Sequence, residues 1–186
     1  MADSFLGDGL VFEDALPVGW TAGPLPEGLA LARLNADDQQ LLVAESTLDD
    51  VRMHEALKDE SAALVHELQR LEYKLNILLR LTAELVLRNA ALPIPQRLRS
   101  TSSALEWFGE DAPAVGAIGV LHLYINPALP QPVKIPCRVV SERFEATARA
   151  AQIRYVGLSE AVVEQLDRLI FRHHRRLVAG ARLVPH

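Results

Sequence analysis

Leucine recurs at a strict seven-residue interval through the middle of the chain, at Leu57, Leu64, Leu71, Leu78 and Leu85. Between them, at alternating four- and three-residue steps, stand Ser61, Leu68, Leu75, Thr82 and Asn89. With the first set as d and the second as a, the apolar period is about 3.5 residues, the period of a helical seam that supercoils on a partner. Thr47 to Asn89 contains neither Gly nor Pro. Ser46 with Asp49 three residues on resembles a capping box, and Pro93 and Pro95 supply the stop. Some 40 helical residues make a rod of about 60 Å, against a globule about 30–35 Å across for the remainder. The stripe therefore outruns its own domain and is expected to bury itself on copies of the same chain. Leu79, Leu81 and Val86, with Ile77 beside them, widen it towards the C-terminal half. A wide stripe wants more than one neighbour, which favours a four-helix bundle, hence a tetramer over a dimer. Leu57, Leu64, Leu68, Leu71, Leu75, Leu78, Leu79 and Leu85 form the expected oligomerisation set.

Outside this segment the period is two. Leu10 to Trp20 reads as a strand, followed by a loop rich in Gly and Pro, and Asn35 with Asp37 and Asp38 opens a short helix. Leu98 to Phe108 reads as one loosely alternating strand, and Ala117 to Ile125 as a core strand. In Val133 to Val140, Val133, Ile135, Cys137 and Val139 share a face, and Pro136 marks an edge or a bulge. Ser141 to Thr147 is expected to turn, Ala148 to Val156 to return as a strand, and Ser159 to cap a last helix from Glu160 to about Ala179. The fold class is α+β.

The chain has 186 residues and a single cysteine, Cys137, which excludes an internal disulfide framework and points to the cell interior. No apolar run reaches the ~18 residues of a membrane span, so no membrane insertion is expected. Residues 1–60 hold 13 acids against 3 bases, the rest 11 against 16. A net charge of −5 argues against nucleic-acid binding, and the acidic front and basic back are expected to meet each other. His173 and His174, flanked by Arg172, Arg175 and Arg176, read as a solvated basic helix end, and Cys137 as a buried small apolar residue. No nucleophile elbow, phosphate loop or metalloprotease motif occurs, so no enzymatic activity, metal or cofactor is expected.

The run Gln152 to Glu160, QIRYVGLSE, continuing through Gln165 to Arg172, QLDRLIFR, resembles the closing strand and helix of the PilZ domain family. The preceding segments fit the same pattern over residues 93–178. The resemblance implies a six-stranded antiparallel β-barrel with a C-terminal helix, here carrying a long inserted coiled-coil helix. On that layout residues 9–22 supply the N-terminal strand, 29–46 a helical connector, 47–92 the heptad helix, and 93–186 the remaining strands and last helix. It also implies a regulatory role linked to cyclic di-GMP signalling, motility or virulence and surface appendages; with the cytoplasmic address expected above, a protein partner in signalling or the pilus machinery is expected.

Typical members hold cyclic di-GMP with an R-x-x-x-R stretch ahead of the barrel and a [D/N]-x-S-x-x-G turn within it. Here the nearest match to the turn runs from Arg99 through Thr101 to Ala104, with a cation, a Thr and an Ala at the motif positions. Arg97 and Arg99 are two apart and share a strand face instead of forming the loop. The R-x-x-x-R spacings that do occur, Arg168 to Arg172 and Arg172 to Arg176, fall in the last helix, away from the family's site. The expected function is a self-assembling, non-enzymatic adaptor. The alternative is a cyclic di-GMP receptor using Arg97, Arg99 and Thr101.

Overall fold

In the computed structural model the described residues are 5–7, 9–51, 92–126, 131–145 and 148–181, with helical positions 68, 70, 71, 73–75, 77, 78, 81 and 82 between them. The strands are β1 (Phe12–Ala22), β2 (Pro95–Ser100), β3 (Ala104–Phe108), β4 (Ile118–Leu123), β5 (Val133–Glu145) and β6 (Ala148–Tyr155). They close a barrel in the order β1-β2-β3-β6-β5-β4, every pairing antiparallel. Closure depends on β1, which pairs with β2 through Phe12–Pro17 and with β4 through Val18–Ala22. Where it crosses β4, Trp20 lies over Gly119. A Cβ at Gly119 would stand 2.3 Å from the Thr21 carbonyl oxygen and 2.9 Å from Trp20 Cζ2, so only glycine lets the strands meet there.

Alternation fills the barrel as the period-two pattern requires. Leu98, Leu105, Leu121, Ile135, Cys137 and Ile153 point inward and are almost fully buried. Helix α1 (Gly28–Val51) contributes Leu42 to the same core, and helix α2 (Glu160–Ala181) contributes Val162 and Leu166. Burial pushes the Cys137 thiol up to about 12, so it stays protonated and inert, as a small core residue should.

Several elements differ from the sequence reading, each for a physical reason. Leu98 to Phe108 is two strands, because Thr101–Ser103 make a tight turn in which Thr101 N–H donates to the Ala104 carbonyl at 2.9 Å. The expected turn at Ser141 is instead a continuation of β5 to Glu145, with a register shift between Val139 and Ser141. That shift turns Ser141, Arg143 and Glu145 to the outside, which breaks the alternation a strand is recognised by. Pro136 sits just past the end of the β5–β6 ladder, where a missing N–H costs no rung and its carbonyl still accepts from Val156 at 2.8 Å.

Ser46 starts no helix. Helix α1 runs through it unbroken, and its hydroxyl donates back to the Val43 carbonyl at 2.7 Å. Nor does Asn35 open one: it lies inside α1 and ties that helix to the entry of α2. Its Nδ2 donates to the Gly157 carbonyl at 3.0 Å, and its Oδ1 accepts from Ser159 N–H at 2.9 Å. Ser159 Oγ in turn caps α2 by accepting from Val162 N–H at 3.3 Å.

The expected solvated end of α2 is partly packed. Arg172 donates to Glu45 of α1 at 2.7 Å, and His173 stacks on Phe12 with ring centroids 4.2 Å apart. His174, Arg175 and Arg176 do face solvent. The acidic front and basic back thus meet within one protomer, at Glu45–Arg172 and at Glu13 with Arg97 and Arg99.

Candidate functional site

Two surfaces carry the residues singled out by sequence. The first is the outer face of the barrel around the β2–β3 hairpin. Outward positions follow the register: Glu13, Arg99, Glu106, Gln152 and Ser141 form one row across β1, β2, β3, β6 and β5. Glu106 is the centre. It interrupts the apolar run ALEWF, its side chain is 4% exposed, and burial alone would raise its carboxyl. The opposing contributions win: Arg143 grips it with two donors at 2.7 and 2.8 Å, Gln152 donates at 3.0 Å, and Arg99 adds a contact at 3.3 Å. The group is therefore held below the ordinary glutamate range and stays ionised.

Arg97 is one step along β2 on the same face. It donates to Glu13 at 2.8 Å and to Glu145 at 3.2 Å, and its guanidinium lies 4.4 Å from the Phe108 ring centroid. Arg143 approaches the same ring at 5.4 Å and pairs with Glu145 at 2.9 Å. Phe108 is consequently 5% exposed although it points out of the barrel. Three guanidiniums thus share three carboxylates, a closed account of charge with little left to hold a phosphate.

Thr101, the third candidate, lies in the turn. Its hydroxyl is within 3.4 Å of both Ser103 Oγ and the Ala104 carbonyl, and neighbouring Ser100 Oγ bonds Tyr155 Oη at 2.8 Å. Burial keeps the Tyr155 phenol well above its usual range, so that bond is between neutral groups. Arg97 and Arg99 share a strand face, and Thr101 lies in the turn that follows. Sequence reasoning missed Glu106, Phe108, Arg143 and Gln152. The lone charge inside an apolar strand was the available signal, since such a carboxylate demands partners.

The second surface is the heptad segment. Leu68, Leu71, Leu75 and Leu78 occupy described helical positions and are 53, 54, 58 and 61% exposed, with Leu81 at 48% and Tyr73 at 67%. Leu57, Leu64, Leu79 and Leu85 lie outside the described residues, as do Ser61 and Asn89. Thr82 donates its hydroxyl to the Leu78 carbonyl at 2.8 Å, so its polar group is satisfied along its own helix and its methyl is free to pack.

Among the described residues no group of three His, Cys, Asp or Glu side chains is placed to hold a metal, and no helix is long and apolar enough to cross a membrane. No curated protein matches the chain. Among solved structures, the chain is similar to a pathogenic protein from Xanthomonas campestris described as a new tetrameric PilZ domain self-assembled via an unusual helical bundle. Identity is 24%, the match covers 92% of this chain and 91% of that one, and the TM-score is 0.74. A weaker match is the PilZ domain with c-di-GMP of YcgR from Escherichia coli, at 16% identity over 48% of this chain and 80% of that one, TM-score 0.37. The model of the atypical PilZ domain, cyclic di-GMP receptor, matches residues 42–183, taking in the heptad segment and five of the six barrel strands; the chain belongs to the atypical PilZ domain family.

Proposed function

We propose that this protein is a non-enzymatic, cytoplasmic PilZ-family regulator that assembles through its heptad helix, as a tetramer in preference to a dimer. It acts by contacting other proteins in cyclic di-GMP-linked signalling, motility or virulence. The observation that carries the reading is the row of half-exposed leucines from Leu68 to Leu81. A fully buried leucine contributes about 1.5–3 kcal/mol; recovering half of that at each of five positions yields about 4–8 kcal/mol per helix before association costs. The heptad spacing and the helical bundle of the Xanthomonas campestris protein support the same assembly. Sedimentation equilibrium tests it. The wild type is expected to run at four times the 20.5 kDa chain mass and the Leu71→Asp/Leu78→Asp variant as a monomer. An unchanged mass in that variant rejects the seam.

The second reading, a cyclic di-GMP receptor, is favoured by the description of the matching family model. Against it stand the ion pairs that already occupy Arg97 and Arg99. Calorimetric titration separates the two. No heat of binding is expected with cyclic di-GMP; micromolar binding that Arg97→Ala or Arg99→Ala abolishes makes the protein a receptor.

A further inference from the structure

Six arginines lie on the barrel strands, and four are neutralised. Arg97, Arg99 and Arg143 share Glu13, Glu106 and Glu145, while Arg149 pairs with Glu142 at 2.8 Å and donates to the Ala112 and Pro113 carbonyls. The remaining two, Arg138 on β5 and Arg154 on β6, are register partners directly opposite each other. They stand one row beyond Glu106 and Gln152, where Arg154 also faces Ala104 at the foot of the Thr101–Ser103 turn. Both are outward-facing and exposed. Among the described residues no carboxylate reaches either one. Arg154 stacks on the Phe5 ring at 4.5 Å and donates to the Phe5 carbonyl at 3.2 Å, and both contacts leave its charge uncompensated.

Like charges directly opposite on a sheet destabilise it. A barrel that matches every other strand arginine with an acid, yet sets two cations face to face, has a surface complementary to an anion. We propose that Arg138 and Arg154 form a docking site for an acidic, extended segment of a partner protein, each guanidinium taking one carboxylate. This rests on the reading of the protein as an adaptor acting through protein contacts. Two features choose a peptide over a small phosphate ligand. The pair lies on an open, exposed strand face, where Phe5 covers one side of Arg154 and leaves the edge of its planar fork for an anion. Opposed strand residues are also about 5.5 Å apart, close to the ~6.5–7 Å between alternate side chains of an extended strand.

Nitrogen-15 spectra of the full chain, read at the arginine Nε–Hε signals, test the site. The probe is an acetylated, amidated pentapeptide of alternating glutamate and alanine, with its glutamine counterpart, sodium phosphate and cyclic di-GMP as the other arms. Saturable shifts of Arg138 and Arg154 with the glutamate peptide alone are expected. Binding should weaken at least ~10-fold in Arg138→Gln and vanish in Arg138→Gln/Arg154→Gln. The double variant should melt at or above the wild-type temperature in low salt, because it relieves a repulsion. The proposal is overturned by the absence of a saturable shift, by equal shifts with the glutamine peptide, or by phosphate or cyclic di-GMP moving both signals where the peptide does not. A double variant that melts several degrees lower overturns it too, since the pair would then be a neutralised structural element. Sedimentation of the same samples keeps the questions apart. A lost shift at unchanged mass removes only the docking site, whereas a monomeric wild type removes the assembly.

Discussion

Glu106 shows how one residue can fix a surface. Its carboxylate is buried, ionised and held by donors from three strands, so removing it strands the Arg143 and Arg99 guanidiniums in a half-dry environment. Breaking a buried pair by deleting one partner costs about 3–5 kcal/mol; because both arginines keep some solvent and Glu145 or Glu13, we expect Glu106→Ala to cost about 2–3 kcal/mol in urea melts. The pH dependence follows from the direction of the shift. A carboxyl held below its unfolded value contributes stability that is complete above the unfolded pKa and is lost as pH falls through the folded one. The stability gap between wild type and Glu106→Gln should therefore be constant from pH 8 to 5 and narrow as pH falls further, towards the lowered folded value. A gap that does not narrow at all before the acid unfolding transition would place the contribution in packing and not in charge. The row itself could not be read from sequence. Arg97 and Arg99 were visible as a same-face pair, but their partners come from β1, β3 and β5, and only the closed barrel brings those strands together.

At the scale of elements, α1 is tied down by two buried polar side chains of opposite character, Asn35 at the entry of α2 and Asp38 on β5. Asn35 is saturated, whereas Asp38 is not. Its Oδ1 accepts the Lys134 N–H at 2.9 Å, but Oδ2 finds no partner, and the residue is 2% exposed. Desolvation dominates over the bond and charge of Lys134 and, with Asp37 adding to it, raises the carboxyl to about 7. The sign is opposite to that of Glu106. A raised folded pKa favours the folded state fully below the unfolded value of about 3.9, and that contribution is lost as pH climbs through about 7. The melting temperature of the wild type should accordingly rise by about 3–5 °C in total as pH is lowered from 8 to 6, the slope steepening below about pH 7. In Asp38→Asn, which keeps the acceptor and loses the titration, that slope should disappear. An identical slope in both proteins would assign it elsewhere. Helix α1 also marks a limit of local reading. Ser46 and Asn35 both look like caps, since a short polar side chain is the cap signal. Whether such a group bonds forward, back along its own helix, or across to Gly157 is decided by what packs against it. Strand β5 exceeds its expected length for a related reason, because one bulge reverses the parity on which the period-two pattern depends.

For the molecule as a whole, the barrel and the heptad segment divide the labour. The barrel satisfies itself: its core is filled, most of its outer charges are matched, and both tryptophans, Trp20 and Trp107, belong to it. The leucines at 68, 71, 75, 78 and 81 have no such closure within the chain, being about half exposed. The heptad spacing made that incompleteness legible in advance, whereas the number of helices in the bundle depends on side-chain packing between chains. If association completes the helix stripe while the barrel stands alone, dilution should separate two signals. Helical ellipticity near 222 nm should fall as the protein is diluted through its dissociation range, while tryptophan emission keeps the wavelength of a buried indole. In Leu71→Asp/Leu78→Asp the ellipticity should begin at the dilute value and show no concentration dependence. Emission that shifts red together with the loss of ellipticity would mean that barrel and bundle fold as one cooperative unit. The leucine stripe would then contribute to the stability of each protomer as well as to the joining of protomers.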